Sequence, residues 1–299
     1  MRSVSILCLL IAGPVMHAQV LSIVPGSGDP MDLTFNEALM RRNGISGITG
    51  QMSVKRDGQP MRERGERNMY RFDARGRLSR QIRSYGRPGS GLDTTSSFIT
   101  YDSAGHPVEE LRCDLHGWFA LRDSLDGKGR SVRRTHVRIA DQESDRYLLQ
   151  PGPETIISDE RCTYAEVNDT CTRRTWLNER GLPYREEDHR RDRLGYLRSI
   201  EHHNLITGRR GNILFRYDEK GRLSERIERP DLANGDNTRQ DLRYDAAGNV
   251  TSCDVWRNGK QTLHAEYLYE EGSLLLKAII SKDLETGLIN VMRYTTERP

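Results

Sequence analysis

Beyond its first 18 residues the sequence has no long apolar run: nothing later approaches 18 consecutive apolar residues, so no membrane-spanning helix is expected in the mature chain. It has no Cys-x-x-Cys pair, which removes the usual spacing of a zinc site. It has no Gly-x-Ser-x-Gly and no Walker or dinucleotide glycine loop, so the familiar nucleophile and phosphate-cradling motifs are missing. Charge of a single sign is missing too. The 46 basic and 43 acidic residues are mixed along the 299-residue chain, and no nucleic-acid patch is implied. Hydrophobic residues make up 35% and charged residues 30%, too apolar for disorder but lean for a deep core. A sheet with one buried and one wet face has such a composition.

Residues 1–18 read as a secretory signal. Arg2 supplies the positive start, Val4 to Val15 is mostly apolar, and Met16-His17-Ala18 ends small before Gln19. Cys8 lies mid-run after Leu7, which argues against a lipoprotein site. The expectation is an exported protein of the periplasm, the cell surface or the medium. Export leaves Cys113, Cys162, Cys171 and Cys253. An even count in an oxidising compartment favours disulfides, and Cys162–Cys171 across a hairpin tip is the expected bridge, with buried thiols as the alternative.

The chain is organised around Tyr217-Asp218-Glu219-Lys220-Gly221-Arg222-Leu223. The pattern returns as Phe72-Asp73-Ala74-Arg75-Gly76-Arg77-Leu78 and as Tyr244-Asp245-Ala246-Ala247-Gly248-Asn249-Val250. A looser copy runs from Tyr101 and Asp102 through Gly105 to Val108. Weaker copies surround Gly129, Gly181 and Gly272. Asp at the first turn position accepts backbone N–H bonds, and Gly at the fourth takes the left-handed conformation that returns the chain to an antiparallel partner. Flanking residues alternate as strands do: Ile213, Phe215 and Tyr217 going in. Asp73, Gly76, Asp102, Gly105, Asp218, Gly221, Asp245 and Gly248 are therefore structural turn residues. The turn glycines fall 24 to 29 residues apart, room for two strands and two turns, but Gly181 to Gly195 breaks step at 14.

Residues 19–31 read as a loop. Thr34 followed by Glu37 fits a capping box for a short helix at about 34–42 that covers an open sheet edge. From Ile45 to the C-terminus the reading is strand after strand, with long loops at 84–95 and 229–238 and a break at 150–154. The expected architecture is all-β. Residues 1–18 are the signal, 19–44 a loop with a short helix, and 45–299 one continuous antiparallel meander. The meander curls toward an open barrel or half-shell as twist accumulates.

The aromatic-Asp-x-x-Gly-Arg/Asn-Leu/Val motif resembles the YD repeat of the RHS family. The resemblance covers roughly residues 45–295, with strong matches near 70–82, 98–111, 213–227 and 242–256. It implies a spiralling β-shell, with sugar binding or surface adhesion as attributed functions. The chain lacks the Asp-Pro-x-Gly closing motif and the length for an enclosed toxin. It is similar instead to short exported bacterial repeat proteins.

No catalytic set emerges. Glu109-Glu110, Glu186-Glu187-Asp188 and Glu270-Glu271 are adjacent carboxylates, and neighbours on a strand point to opposite faces. His189 and His202-His203 with Glu201 offer no third metal ligand at suitable spacing. Neither metal nor cofactor is expected. Tyr70, Tyr101, Tyr217 and Tyr244 are read as one repeat position, packing beside the turn. Trp118, Trp176 and Trp256 lie off the repeat and are candidates for sugar stacking. The sequence points to a non-enzymatic envelope module with a glycan or protein partner. A glycan-active enzyme with interior carboxylates, or a remnant of a toxin shell, is the alternative.

Overall fold

The computed structural model describes residues 19–26, 28–56, 58–85, 93–142 and 149–299. The expected signal and most of the 84–95 loop lie outside the described residues. The first strands are β1 (Gly47–Lys55), β2 (Arg62–Phe72), β3 (Leu78–Ser84), β4 (Asp93–Tyr101), β5 (Pro107–Asp114) and β6 (Gly117–Leu125). Next come β7 (Ser131–Asp141), β8 (Pro151–Asn168), β9 (Cys171–Leu177), β10 (Pro183–Arg191), β11 (Leu197–Asn204) and β12 (Arg210–Tyr217). The last are β13 (Leu223–Arg229), β14 (Thr238–Tyr244), β15 (Val250–Arg257), β16 (Lys260–Tyr269), β17 (Leu276–Asp283) and β18 (Ile289–Glu297). Of residues 150–154, expected as a break, 151–154 instead open the 18-residue strand β8.

Each strand pairs antiparallel with its sequence neighbours, and β18 also pairs with β1, from Gly47↔Glu297 to Lys55↔Ile289. The 18 strands therefore form a closed barrel. This corrects the open meander. Counting turn motifs alone undercounts the strands, because β1 and the degenerate hairpins add wall. With enough twisted strands, the last edge meets the first and both are satisfied.

Up-and-down topology puts alternate connections on opposite rims. The turns at 73–77, 102–106, 126–130, 192–196, 218–222 and 245–249 share one rim with the start of β1 and the end of β18. The turn at 178–182 lies on the other rim, one strand away from the turn at 192–196. That places a single nine-residue strand, β10, between the two turns and explains the short step from Gly181 to Gly195.

The turn chemistry is uniform. Asp73 Oδ1 accepts the N–H of Arg75 at 2.8 Å and of Arg77 at 2.9 Å, and Gly76 N–H donates to the Asp73 carbonyl at 2.9 Å. The Arg or Asn that follows the glycine folds back on the same Asp. Nε of Arg77, Arg130 and Arg222 donates to Asp73, Asp126 and Asp218 at 2.8, 2.8 and 2.7 Å, and Asn249 Nδ2 donates to Asp245 at 3.1 Å.

The N-terminal segment fills the mouth of the turn rim rather than covering an edge, since closure leaves no edge to cover. Its helix α1 (Glu37–Arg42) is capped by Asn36, whose Oδ1 accepts Leu39 N–H at 3.2 Å. Thr34, the expected cap, instead accepts Ser22 N–H through its carbonyl at 2.8 Å. Val20, Phe35, Leu39 and Met40 are buried with Ile48, Tyr70, Phe215, Leu242, Tyr267 and Tyr294. Phe35 meets Tyr70 and Phe72 edge-on at 5.0 and 5.3 Å. Each such side chain contributes about 1.5–3 kcal/mol relative to exposure. One segment touching strands so far apart in sequence marks this face of the wall as the inner one.

The outer face carries cross-strand ion pairs. Arg122 binds Glu109 and Glu154 at 2.6 Å each, Arg133 binds Asp159 at 2.6 Å, and Arg173 binds Asp188 at 2.7 Å. Cross-strand register places these residues opposite the plug-facing side. A small second cluster of Cys113, Trp118, Ala120, Val137 and Ile139 shares this outer face.

Candidate functional site

Two places bring chemistry together, a cleft at the turn rim and a charged cluster on the inner wall. The cleft, of about 630 Å³, opens between the N-terminal segment and the hairpins at 192–196 and 218–222. Tyr196, Tyr217 and Tyr244 line it with Gln19, Asn36, Arg191, Lys220 and Arg222. Tyr196 packs on Tyr217 with ring centroids 4.8 Å apart. The hydroxyl of Tyr217 donates to the Leu197 carbonyl at 2.7 Å and that of Tyr244 to the Leu223 carbonyl at 2.6 Å. These two rings are thereby held in place. Among the described residues, three cations line the cleft and no carboxylate does.

The inner cluster is built by register. Glu187 on β10 faces His202 on β11 and Arg174 on β9, while Arg185 and His189 flank it two residues away on its own strand. Glu187 is 6% exposed and ion-paired to Arg185. His189 Nε2 lies 3.5 Å from it, and Arg174 and His202 Nδ1 lie 3.8 Å from it. Burial pushes the Glu187 carboxyl up, but His189, Arg185 and Arg174 outweigh burial and hold it at about 2. Burial pushes the neighbouring His202 down. Among the described residues, no group of three His, Cys, Asp or Glu side chains is placed to hold a metal ion. The guanidiniums occupy the carboxylate instead.

Sequence reasoning missed this cluster. Adjacent residues do diverge: Glu186 and Asp188 face out with Glu201 and His203. The overlooked signal was the step of two from Glu187 to His189, which keeps both on one face. The pairing partner His202 depends on register, which no local pattern shows.

The remaining expected residues are placed plainly. Asp73, Gly76, Asp102, Gly105, Asp218, Gly221, Asp245 and Gly248 all sit in turns of the same rim. Phe72, not Tyr70, occupies the repeat's aromatic position; Tyr70 is two residues earlier, inside β2. Cys162 and Cys171 are buried thiols rather than a disulfide. The hairpin between them is real, but Cys162 pairs with Trp176 and Cys171 with Asn168, at different rungs. The tryptophans form no stacking platform. Trp118 is 3% exposed under the outer cluster, and Trp176 is 5% exposed with Arg174 over its ring at 3.8 Å. Trp256 lies on the outer face, its ring covered by Arg239 at 4.6 Å.

No family model matches the chain, and no curated protein matches it. Among solved structures, a porin-like protein from Bacteroides uniformis is 13% identical with a TM-score of 0.39, covering 85% of this chain and 98% of that one. A LolA-superfamily protein from Nitrosomonas europaea is 11% identical with a TM-score of 0.21, covering 88% and 90%. Likenesses at these scores carry no argument about fold or function.

Proposed function

We propose that the protein is an exported, non-enzymatic YD-repeat binding module of the cell envelope, with the rim cleft as its ligand site. The observation that carries this reading is the cleft itself. It is a concave site in which Tyr217 and Tyr244 are fixed by hydrogen bonds to neighbouring hairpins, Tyr196 packs on Tyr217, and polar side chains converge from two parts of the chain. The non-enzymatic part is supported at one interior carboxylate, Glu187. A group held near pKa 2 between guanidiniums is a poor proton carrier at neutral pH.

The test is a glycan array and a pull-down from envelope extract, each run with the wild-type protein and with Tyr196→Ala. Binding that depends on Tyr196 supports the reading. Empty results in both assays, or binding that Tyr196→Ala leaves intact, overturn it.

A further inference from the structure

We propose that one side of β8 is a docking edge for an extended segment of a partner protein, held as an added strand. The pairing pattern carries this. β8 has 18 residues and β9 has 7. On one side β8 pairs with β7 from Pro151 to Arg161. On the other it pairs with β9 only from Arg161, opposite Leu177, to Asn168. The chain then turns at 178–182 into β10, which pairs with the far side of β9. From Pro151 to Glu160, β8 therefore has a single partner strand among the described residues. Closure joins the two end strands of the sheet, but this step within the wall stays open.

Backbone groups of alternate residues point to opposite sides of a strand, so part of this stretch aims N–H and C=O groups at the open side. Such an edge is a template for another strand. Two devices shorten it. Pro151 and Pro153 lack the donor, and Ile157 is the extra residue of a bulge between Ile156 and Ser158. They confine docking to residues 154–160. Ile156 and Ile157 are 61% and 48% exposed there, and Leu182, in the turn at the foot of the step, is 58% exposed. An added strand covers these side chains while it pairs the backbone.

Charge and register choose the occupant. Residues 154–160 include Glu154, Asp159 and Glu160 and no cation. Glu154 shares Arg122 with Glu109, Asp159 holds Arg133, and Glu160 accepts the Tyr184 hydroxyl at 2.7 Å. Arg161 stands at the foot of the step, where the turn adds Glu179 and Arg180, one of each sign. The edge is therefore acidic, and a second copy fits it badly. In antiparallel self-pairing, setting Ile157 on Ile157 sets Glu154 on Glu160, and setting Ile156 on Ile157 sets Glu154 on Asp159. Centring on Ile156 instead brings Pro153 into the ladder. The occupant is a foreign strand with an apolar centre and cationic ends. The step lies toward the rim opposite the cleft and shares no residue with it.

The experiment follows a labelled peptide, Lys-Thr-Val-Val-Val-Thr-Lys with blocked ends, onto the protein by fluorescence anisotropy. It has three controls: the same peptide N-methylated throughout, a version with Glu at both ends, and the protein variant Ile156→Lys/Ile157→Lys, checked for an unchanged thermal transition. The expected result is saturable binding that weakens at least tenfold in each control. Amide hydrogen exchange within residues 154–160 should slow when the peptide is bound. N-methylation keeps the side chains and removes the donors, so unchanged binding of that peptide overturns strand addition even if the lysine variant fails to fold. Equal binding of the Glu-ended peptide overturns the inference, as does binding that a folded Ile156→Lys/Ile157→Lys retains. A dimer in sedimentation that this variant dissociates also overturns it, because the occupant is then a second copy. No binding at millimolar peptide overturns it outright.

Discussion

A single hydroxyl explains why the repeat uses tyrosine. Tyr101, Tyr164, Tyr217, Tyr244 and Tyr269 donate to the carbonyls of Leu78, Ser131, Leu197, Leu223 and Val250 at 2.6–3.0 Å. Each acceptor follows the turn of the preceding hairpin on that rim. The arginine of that turn covers the incoming ring: Arg77 over Tyr101 and Arg130 over Tyr164 at 4.2 Å, Arg222 over Tyr244 at 4.5 Å. So Asp orients Arg, Arg covers Tyr, and Tyr ties hairpin to hairpin. Leu125 and Arg191 hold this position before the turns at 126–130 and 192–196 without a ring, and Phe72 has no turn hairpin before it and packs its ring on Phe35 instead. The motif was legible in the sequence, but the bond was not, since its acceptor lies about 20 residues away. Tyr244→Phe keeps the ring and loses the bond, so urea unfolding should show a loss of about 1 kcal/mol. Phe72→Tyr should bring no gain. A neutral Tyr244→Phe would refute the clasp. Glycine gives a second residue-scale check. Gly76 and Gly181 both adopt left-handed backbone, at φ +81° and +75°. A Cβ on Gly76 collides with the Glu37 carbonyl of α1, whereas at Gly181 nothing lies within 4 Å. Gly181→Ala should cost about 1–2 kcal/mol. Gly76→Ala should cost clearly more and expose α1 to proteolysis; equal costs would show that α1 does not rest on that turn.

The strand trio β9, β10 and β11 shows where sequence reading stops. Alternation assigns every residue to a face once the strand is known, and it placed Glu187 correctly on the face opposite Glu186 and Asp188. It does not say which residue of the next strand stands opposite, so Arg174, Glu187 and His202 stayed unconnected. The cluster has a pH signature. The ordinary Glu187 value of 4.5 falls to about 2 in the fold, a depressed carboxylate. Its contribution is therefore complete above about pH 4.5 and is lost as pH falls toward 2, on the order of 3 kcal/mol at 1.36 kcal/mol per unit. Asp73 and Asp218 add to the same acid limb. Burial raises both, but hydrogen bonds from Arg77 and Arg222 outweigh it and leave their pKa values lowered. Glu187→Gln should destabilise the protein at pH 7 by about 3 kcal/mol, since Arg174 and Arg185 lose their anion. It should also flatten the stability profile between pH 4.5 and 2. Denaturant midpoints measured across that range decide it; a mutant profile parallel to wild type would show that Glu187 does not carry the acid limb.

At the scale of the whole molecule, closure is the feature the sequence hides. β1 and β18 meet through Thr49↔Thr295 and Met52↔Met292, residues some 240 positions apart with no shared motif. The alternation of the strands could be read and their number only in part; whether the two ends meet depends on twist summed around the ring. Closure in turn decides which solvent the wall can face. A barrel of strands this long has the reach to cross a bilayer, so the chemistry of its outer face is decisive. That face carries Arg122 and Arg173 toward mid-strand and Arg133 nearer the start of β7, bound to Glu109, Asp188 and Asp159, and further round it Asp254 beneath His264 at 2.5 Å. Each arginine at the bilayer midplane costs about 2–4 kcal/mol, and ion pairing offsets only part of that sum. A lipid-facing wall needs an apolar band at this height, and the ion-pair ladder stands in its place. The barrel should therefore stay in the aqueous phase without detergent and sediment as a compact particle. Added to planar bilayers, it should give no conductance steps. A requirement for detergent, or stepwise conductance, would mean that the outer face has been assigned to the wrong solvent, and the inner-face assignment of the plug and of Glu187 would fall with it.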